Sequence, residues 1–404
     1  MLQRVWIVSV LLVGCTDKET AETADDTGSP TIVDTATTDT NPEDTAPPEE
    51  TASPEDTSPP DDTAPEDTDP PDYYKKQDTG DTLCATATAS FTDASGVETD
   101  YTSEFTDGTE VLLEEDGTLA FCPGEWFVRL NVKEASVDIV GLGKTRDETV
   151  VSSGESGTVL SFRGPNQTIN VSNLVVERGA ALGSGNRSSG GGLRCADDTE
   201  VNVRDVTFTR NQAYDGAAIY VSETCRLTVD DSLFLDNDTI DDGAGIRVDG
   251  GTAEVTNSTF SGNTGRDGAA AFTIYGAMSF DGCTFEDNNV SYYGGAMVNY
   301  YGSIEVSDST FTDHSASYSG GAIYTVGDLT LDTVTFDDST GSDAAIYTYG
   351  TYGTLTGTDV TFTDSSPADV YLYGTGGGPA GGGGSYDFEP NASFSCAGSS
   401  CTSL

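Results

Sequence analysis

The chain has little histidine, little positive charge and, through much of its length, no proline. Its 404 residues include one histidine and 17 lysines and arginines against 68 acidic residues, a formal net charge of −51 at pH 7. One histidine excludes a zinc centre built on several histidines. Nucleic-acid binding is excluded because phosphate contacts require a basic surface. Proline is absent from 166 to 366, and no segment there keeps the 3.6-residue period of a helix.

What the chain does contain is a repeat. Seven phenylalanines recur every 25 or 26 residues, and a Gly/Ala-rich marker, such as GAAI at 216–219 or GGAI at 320–323, runs in phase with them. Self-similarity at one period indicates one supersecondary unit stacked on copies of itself. The phenylalanines are Phe208, Phe234, Phe260, Phe285, Phe311, Phe336 and Phe362.

Each repeat reads as short strands joined by tight turns. Apolar and polar residues alternate in segments such as 201–203 and 219–221, which is the period-2 signature of a strand. About 25 residues are enough for one turn of a flattened coil with three short faces. We therefore predict an all-β protein, a right-handed parallel β-helix, with the phenylalanines stacked as a column in its core.

The repeat also resembles a known family. GGAI followed by an F-x-x-N stretch is similar to the repeat of chlamydial-type polymorphic outer membrane proteins, within the pectin-lyase-like β-helix superfamily, over about 190–365. Segments 122–143 and 171–179 resemble the opening coils of that superfamily. We expect the β-helix to occupy residues 83–395, with a C-terminal cap or tail at 396–404. The resemblance implies a surface adhesin, although polysaccharide lyases and hydrolases share the fold.

The N-terminal part of the sequence predicts where in the cell the protein is located. Residues 1–14 resemble a bacterial lipoprotein signal peptide, with cleavage before Cys15 and lipid on its thiol; an ordinary secretory signal is the alternative. Thr16, rather than an aspartate, follows the cysteine, which resembles the pattern of an outer-membrane destination. Residues 15–82 are rich in proline, threonine and acidic residues, so we expect a disordered acidic tether that holds the protein at the cell surface.

Seven further cysteines suit an oxidising compartment. Cys396 and Cys401 close a short loop, Cys84 and Cys122 could join the N-terminal cap, and adjacent coils could bring Cys195 and Cys225 together. Cys283 is then unpaired. It falls in a small inward slot between Ser258 and Ser309 of the neighbouring coils, so we expect a buried and free thiol. The six cysteines expected in disulfides are Cys84, Cys122, Cys195, Cys225, Cys396 and Cys401.

The sequence contains no recognisable pattern of catalytic residues. His314 aligns with asparagines of the other coils, which predicts a structural role in a turn ladder. Asp215, Asp242 and Asp267 precede the glycine markers of successive coils, so calcium ligation is an alternative to solvated turn carboxylates, and we predict no cofactor. The arginines that a lyase could use match no motif; those of the middle coils are Arg194, Arg204, Arg210, Arg226, Arg247 and Arg266.

One stripe of residues predicts a binding surface. If the apolar residues of the markers point inward, then Tyr220, Phe272, Tyr324 and Tyr347 point outward on one face, where aromatic rings could stack on sugars or seat a protein partner. Packing of these rings on their ladder neighbours is the alternative. Four further tyrosines lie close to the stripe, namely Tyr300, Tyr301, Tyr349 and Tyr352. We hypothesise a lipid-anchored, surface-displayed adhesion or structural module for glycans or cell-surface proteins. A polysaccharide lyase or glycoside hydrolase is the alternative.

Overall fold

The computed structural model describes Cys84, residues 88–183, 189–374, 382–388, Pro390, 392–397 and 400–404. The predicted signal peptide, Cys15 and the tether up to residue 82 lie outside the described residues. The described part is a parallel β-solenoid built from three sheets. Its helices are the α-helix Thr102–Asp107 and the 3-10 helix Arg146–Glu148. In the part that the structure describes, no helix has the length and apolar character needed to cross a membrane.

One coil shows how the chain winds. Strands Arg226–Asp230 and Leu233–Leu235 meet at a bend, strand Asp238–Thr239 turns the corner, and strand Ile246–Asp249 returns on the third side. The next coil repeats this path in parallel register, for example with Phe234 beside Phe260.

Sheet 1 has 21 strands and receives two strands, or one long bent strand, from most coils. Its strands are Ala89–Asp93, Glu98–Asp100, Gly117–Phe121, Gly124–Phe127, Val137–Gly141, Thr149–Ser152, Gln167–Glu177, Thr199–Thr209, Arg226–Asp230, Leu233–Leu235, Thr252–Thr256, Thr259–Ser261, Ala277–Asp281, Thr284–Glu286, Ser303–Ser307, Thr310–Thr312, Asp328–Asp332, Thr335–Asp337, Leu355–Thr363, Ala392–Ala397 and Ser400–Ser403.

Sheet 2 has 12 strands and sheet 3 has six very short ones. The strands of sheet 2 are Glu110–Leu113, Arg129–Lys133, Leu160–Arg163, Leu193–Ala196, Ile219–Val221, Ile246–Asp249, Ala271–Ile274, Met297–Tyr300, Ile323–Thr325, Ile346–Tyr349, Val370–Gly374 and Gly382–Tyr386. Those of sheet 3 are Ala180–Ala181, Gln212–Ala213, Asp238–Thr239, Thr264–Gly265, Asn289–Val290 and Ser315–Ala316.

The phenylalanine column is confirmed as the spine of the core. All seven rings are buried, and each stacks on the next with ring centroids 4.4–5.2 Å apart. Burying a side chain of this kind contributes about 1.5–3 kcal/mol. Because the column runs through seven coils, it sets the register of the whole repeat region.

The bends depend on residues that accept a left-handed backbone. The slot three residues before each phenylalanine has positive φ in every coil, from 46° at Asp308 to 61° at Gly282. Asp, Asn and Gly tolerate this conformation better than other residues. The glycine markers are similarly constrained: Gly216 has a φ of 58°, and a Cβ there would lie 2.7 Å from the carbonyl oxygen of Ile219.

A ladder of buried asparagines closes the turn after each of the first four phenylalanines of the column. The amide oxygen of Asn237 accepts hydrogen bonds from the backbone and side-chain N–H groups of Asn211, at 3.1 and 3.0 Å. Asn263 and Asn288 extend the ladder, which ends where the backbone N–H of Asn288 donates to Nδ1 of His314 at 3.2 Å. The ladder satisfies buried backbone groups, which would otherwise be costly.

Antiparallel strands and disulfides close both ends of the solenoid. Strand Ala89–Asp93 pairs antiparallel with two neighbours at the N-terminal end. At the other end, Gly382–Tyr386 and Ala392–Ala397 pair antiparallel with the last coil, so the C-terminal cap begins ahead of the boundary at 396 expected from the sequence. The described residues form three disulfides, Cys84–Cys122, Cys195–Cys225 and Cys396–Cys401, and Cys283 is free and buried.

Candidate functional site

The outer face of sheet 2 carries the residues that the sequence analysis picked for binding. Its parallel register places Tyr220 beside Arg247, Arg247 beside Phe272, and Tyr324 beside Tyr347 in successive coils. The inward neighbours, such as Ile219 and Ile323, are buried in the core. The predicted stripe is therefore one continuous ladder on the side of the sheet that faces away from the core.

Most of this ladder is not exposed. Phe272, Tyr324 and Tyr347 keep only 2, 7 and 8% of their surface, and Tyr220 is half-buried. Phe272, Tyr324 and Tyr347 belong to a second apolar cluster outside the core, which is covered in part by tyrosines such as Tyr300. The expectation that the rings of Phe272, Tyr324 and Tyr347 meet solvent directly therefore needs revision, because neighbouring side chains such as Tyr300 and Tyr349 pack over them.

The buried tyrosines pack as a stack rather than as a binding surface. The rings of Tyr324 and Tyr347 lie 5.2 Å apart and nearly parallel, and Tyr293 stacks on Tyr324 at 4.6 Å. Burial raises the pKa of the Tyr324 and Tyr347 hydroxyls, so both stay protonated at neutral pH. The alternative stated for this stripe, packing on ladder neighbours, describes Phe272, Tyr324 and Tyr347 better.

A different set of tyrosines meets the solvent around this cluster. Tyr275, Tyr301 and Tyr352 are 69, 51 and 63% exposed and follow strands of sheet 2, whereas Tyr292 and Tyr318 precede them and are 43 and 50% exposed. We call these five residues the tyrosine surface. Within it, the rings of Tyr275 and Tyr301 stack at 5.6 Å and those of Tyr292 and Tyr318 at 4.8 Å.

Sequence reasoning found only part of the tyrosine surface. Tyr301 and Tyr352 were recognised as close to the stripe, but Tyr275, Tyr292 and Tyr318 were missed. The signal was present, because Tyr275 and Tyr301, like Tyr292 and Tyr318, are one 26-residue repeat apart. A tyrosine at a turn position that recurs with the repeat indicates stacked and exposed rings.

Beside the half-buried Tyr220 lies a network of carboxylates and arginines. Arg247 donates to Asp215 at 2.6 Å, to Asp242 at 2.7 Å and to Asp249 at 2.9 Å. The hydroxyl of Tyr220 also donates to Asp249, at 2.8 Å. The guanidinium thus joins carboxylates of two consecutive coils.

Arg266 continues the network. It pairs with Asp241, with Asp242 at 3.1 Å and with Asp267 at 2.9 Å. Burial, reinforced by the charges of Asp241 and Asp267, raises the pKa of Asp242 to about 7 even though Arg247 lowers it. Carboxylates outnumber guanidinium groups in this network. The carboxyl that holds a proton near neutral pH is that of Asp242.

The same network bears on the calcium alternative. Asp215, Asp241 and Asp242 bring carboxylate oxygens within 4.8 Å of one another, but Arg247 and Arg266 already contact all three. A guanidinium supplies positive charge where a cation would otherwise be needed. The arrangement is accounted for by ion pairing between coils, and a carboxylate cluster alone does not define a metal site.

His314 is fully enclosed and belongs to the asparagine ladder. Burial lowers its pKa to about 4, so the imidazole is neutral at physiological pH. Among the described residues, Nε2 has no hydrogen-bond partner. A side chain that no substrate can reach is structural, as the alignment of the coils predicted.

Comparison with known proteins supports the fold. The family model for the right handed beta helix region matches residues 244–375, and the family model for the Chlamydia polymorphic membrane protein repeat matches residues 205–222. Both matches agree with the right-handed parallel β-helix and the polymorphic-type repeat that the sequence predicted. No curated protein sequence matches the chain significantly.

Solved structures are only distantly similar. Escherichia coli ybhc is 14% identical with a TM-score of 0.30 over 55% of this chain, which spans only 64% of the ybhc chain. Pectin methylesterase PemA from Erwinia chrysanthemi is 11% identical with a TM-score of 0.33, covering 60% of this chain and 81% of PemA. PfbA, a surface adhesin of Streptococcus pneumoniae, is 10% identical with a TM-score of 0.29, covering 73% of this chain and 89% of PfbA. Likenesses at this level carry no argument about function.

Proposed function

We propose that this protein is a surface-displayed adhesion module, held to the membrane by lipid on Cys15, and that its tyrosine surface binds glycan chains. The observation that carries the proposal is the exposure of five tyrosines in groups of contacting rings on one side of the solenoid. Repeat solenoids commonly bind through such extended regular surfaces.

The chemistry of the tyrosine surface favours a saccharide. A tyrosine ring offers an apolar face for the C–H groups of a sugar and a hydroxyl for hydrogen bonds, at a low cost in side-chain entropy. Residues 267–404 contain no lysine or arginine, so this surface attracts ligands through stacking and hydrogen bonds rather than positive charge. Successive coils are about 4.8 Å apart, a spacing that suits a polymer that lies along the coils.

Binding is tested by a glycan array with the full chain, followed by titration of each hit. We expect Tyr301→Ala with Tyr352→Ala to weaken binding at least tenfold, because the change removes two exposed rings that contact each other edge to face, with centroids 5.9 Å apart. The matched control is the double change of the same residues to Phe, which keeps the rings. Tyr214→Ala removes another exposed tyrosine three coils away and should have no effect. Equal loss in the control, or binding only to a cell-surface protein, would overturn the glycan assignment.

The anchor is tested separately. Mass spectrometry of the N-terminal peptide should show lipid on Cys15, and Cys15→Ala should release the protein from the membrane fraction. An unmodified Cys15 would remove the anchor from the proposal without affecting the glycan experiment. The match to a membrane-protein repeat supports a surface location.

A carbohydrate-active enzyme is the second candidate, and one observation favours it. Asp242, with a pKa raised to about 7, lies near Asp215, and a carboxyl that holds a proton near neutral pH suits a general acid. Asp242 is nearly inaccessible and paired with two arginines. Polysaccharide turnover that Asp242→Asn abolishes would favour the enzyme; its absence across a degradation panel would leave the adhesion module.

A further inference from the structure

A cavity opens on the outer face of sheet 2, in coils that precede the tyrosine surface. Its volume is about 570 Å³, and it crosses four neighbouring strands of the sheet. Three arginines and few apolar groups line it. The side chains that bear on its chemistry are Glu110, Arg129, Asn131, Arg163, Arg194 and Asp197.

Two of these arginines lack an acidic partner. Among the described residues, no carboxylate oxygen lies within 4 Å of the guanidinium of Arg163 or Arg194. Glu110, one of the two carboxylates in the wall, is bound by Arg129 at 2.9 Å and by Asn131 at 2.7 Å. Asp197 lines the cavity and attracts Arg194, but it forms no ion pair with it.

This lack of partners is unusual for the chain. With 68 acidic residues against 17 basic ones, a carboxylate is available for almost every guanidinium. Seven other arginines of the described part do form ion pairs, namely Arg129, Arg146, Arg178, Arg204, Arg210, Arg247 and Arg266. Two unpaired arginines in one cavity therefore need a specific explanation.

The register explains why these two arginines face the same space. Arg163 lies beside Ala196, and Arg194 lies beside Ser161, on adjacent parallel strands. Successive side chains of a strand point to opposite faces of the sheet. Phe162, next to Arg163, and Cys195, next to Arg194, are buried in the core, so both arginines point to the outer face. The small neighbours Ala196 and Ser161 leave the room that the two guanidinium groups need.

Arg194 is also held in place from one side. Its guanidinium lies over the ring of Tyr220, 5.5 Å from the centroid, which orients it without neutralising its charge. Burial lowers its pKa, and the nearby charge of Arg163 acts in the same direction, yet a guanidinium remains protonated in proteins. Two positive charges that repel each other in a partly desolvated cavity would be stabilised by an anion between them.

We propose that this cavity binds the oxyanion of an acidic saccharide, a carboxylate or sulfate, through Arg163 and Arg194. The planar fork of each guanidinium suits two-point hydrogen bonding to such a group. The inference rests on the proposed glycan-binding function, to which it adds the charge of the ligand. The cavity and Tyr301 are four strands apart, about 19 Å, so one acidic oligosaccharide could contact both.

The test is titration calorimetry of the full chain with glucuronate, glucose and sulfate. We expect glucuronate to bind at least tenfold more tightly than glucose, and Arg163→Gln and Arg194→Gln each to reduce glucuronate affinity at least fivefold. Arg226→Gln is the matched control, because Arg226 is exposed on sheet 1 and also has no ion pair among the described residues. Tighter binding of sulfate than of glucuronate would support a sulfated saccharide.

A second measurement needs no variant. Phenylglyoxal modifies accessible arginines, and peptide mass spectrometry should show that glucuronate or sulfate protects Arg163 and Arg194 but not Arg226. Equal affinity for glucuronate and glucose without such protection, or an equal loss in Arg226→Gln, would overturn the proposal. The two proposals can fail separately. If the chain binds no glycan on the array, and the alanine changes at Tyr301 and Tyr352 leave glucuronate binding unchanged, then the tyrosine surface is refuted as a glycan site. The anion site would still be supported by the glucuronate binding.

Discussion

His314 allows a sharp test of how burial couples to stability. Its pKa is about 4 in the folded protein, against about 6.5 for an exposed imidazole, because burial penalises the charged form. The contribution of His314 to the free energy of unfolding is fully present above pH 6.5. It is lost as the pH falls from 6.5 towards 4, because in this range the imidazole takes up a proton in the unfolded chain but not in the folded protein. From these two pKa values, the loss at pH 5.0 is about 2 kcal/mol.

The informative variant is His314→Asn. Asparagine occupies this slot in four other coils, and there its oxygen accepts from the preceding ladder residue while its NH₂ group donates to a carbonyl, as Asn237 does to Phe208 at 3.0 Å. The variant should keep the hydrogen bond now made by the N–H of Asn288 to Nδ1. Asparagine cannot titrate, so the variant does not lose stability when the pH falls. The difference in free energy of unfolding between the variant and the parent should therefore be about 2 kcal/mol larger, in favour of the variant, at pH 5.0 than at pH 7.5.

Urea denaturation of both proteins at the two pH values measures this difference, in which the titration of all the carboxylates cancels. The lower pH lies above the isoelectric point of about 4.1, which limits precipitation. NMR gives an independent check, because the chain has a single histidine and the imidazole signal of an untagged protein needs no assignment. A titration midpoint near 6.5, or the same pH dependence in both proteins, would refute the reasoning.

Three further predictions concern the core and the charge network. Phe260→Ala should lower the free energy of unfolding by about 3–5 kcal/mol, since its ring is buried between two others, whereas Phe362→Ala at the more exposed end of the column should cost less; denaturant titration compares them. Cys283 should react slowly with thiol reagents in the native protein, because burial raises its pKa to about 11, and Cys283→Ser should change the midpoint of thermal unfolding little. The contribution of Asp242 to stability should fall as the pH rises from about 4 to 7, because its pKa is raised in the folded protein, and Asp242→Asn should remove this contribution from the pH profile; an unchanged slope would count against a protonated Asp242.

Much of the fold could be predicted because it repeats. One marker every 25 or 26 residues is a weak signal once, but seven in phase specify the coil and its inward phenylalanine. The same alignment identified His314 as a ladder residue and Cys283 as an occupant of a serine slot. Alignment of coils is reliable here because neighbouring coils impose nearly the same environment on equivalent residues.

The candidate site was less predictable. The sequence placed Tyr220, Phe272, Tyr324 and Tyr347 on the outer face, and the register agrees. It did not reveal that three of them are buried, because alternation along a strand distinguishes inside from outside but does not show what lies over the outside. That depends on side chains two residues away and on turns that reach back over the sheet, as Tyr293 does over Tyr324.

The sequence by itself determined the class of fold, the length of the coil, the phenylalanine core and the acidic character of the protein, because these follow from periodicity and composition. Only the tertiary structure decided which tyrosines meet the solvent, which carboxylates share Arg247, and which arginines remain unpaired. Those outcomes depend on distances between side chains of different coils. Two arginines separated by 31 positions, Arg163 and Arg194, share one cavity because a whole turn of the solenoid lies between them.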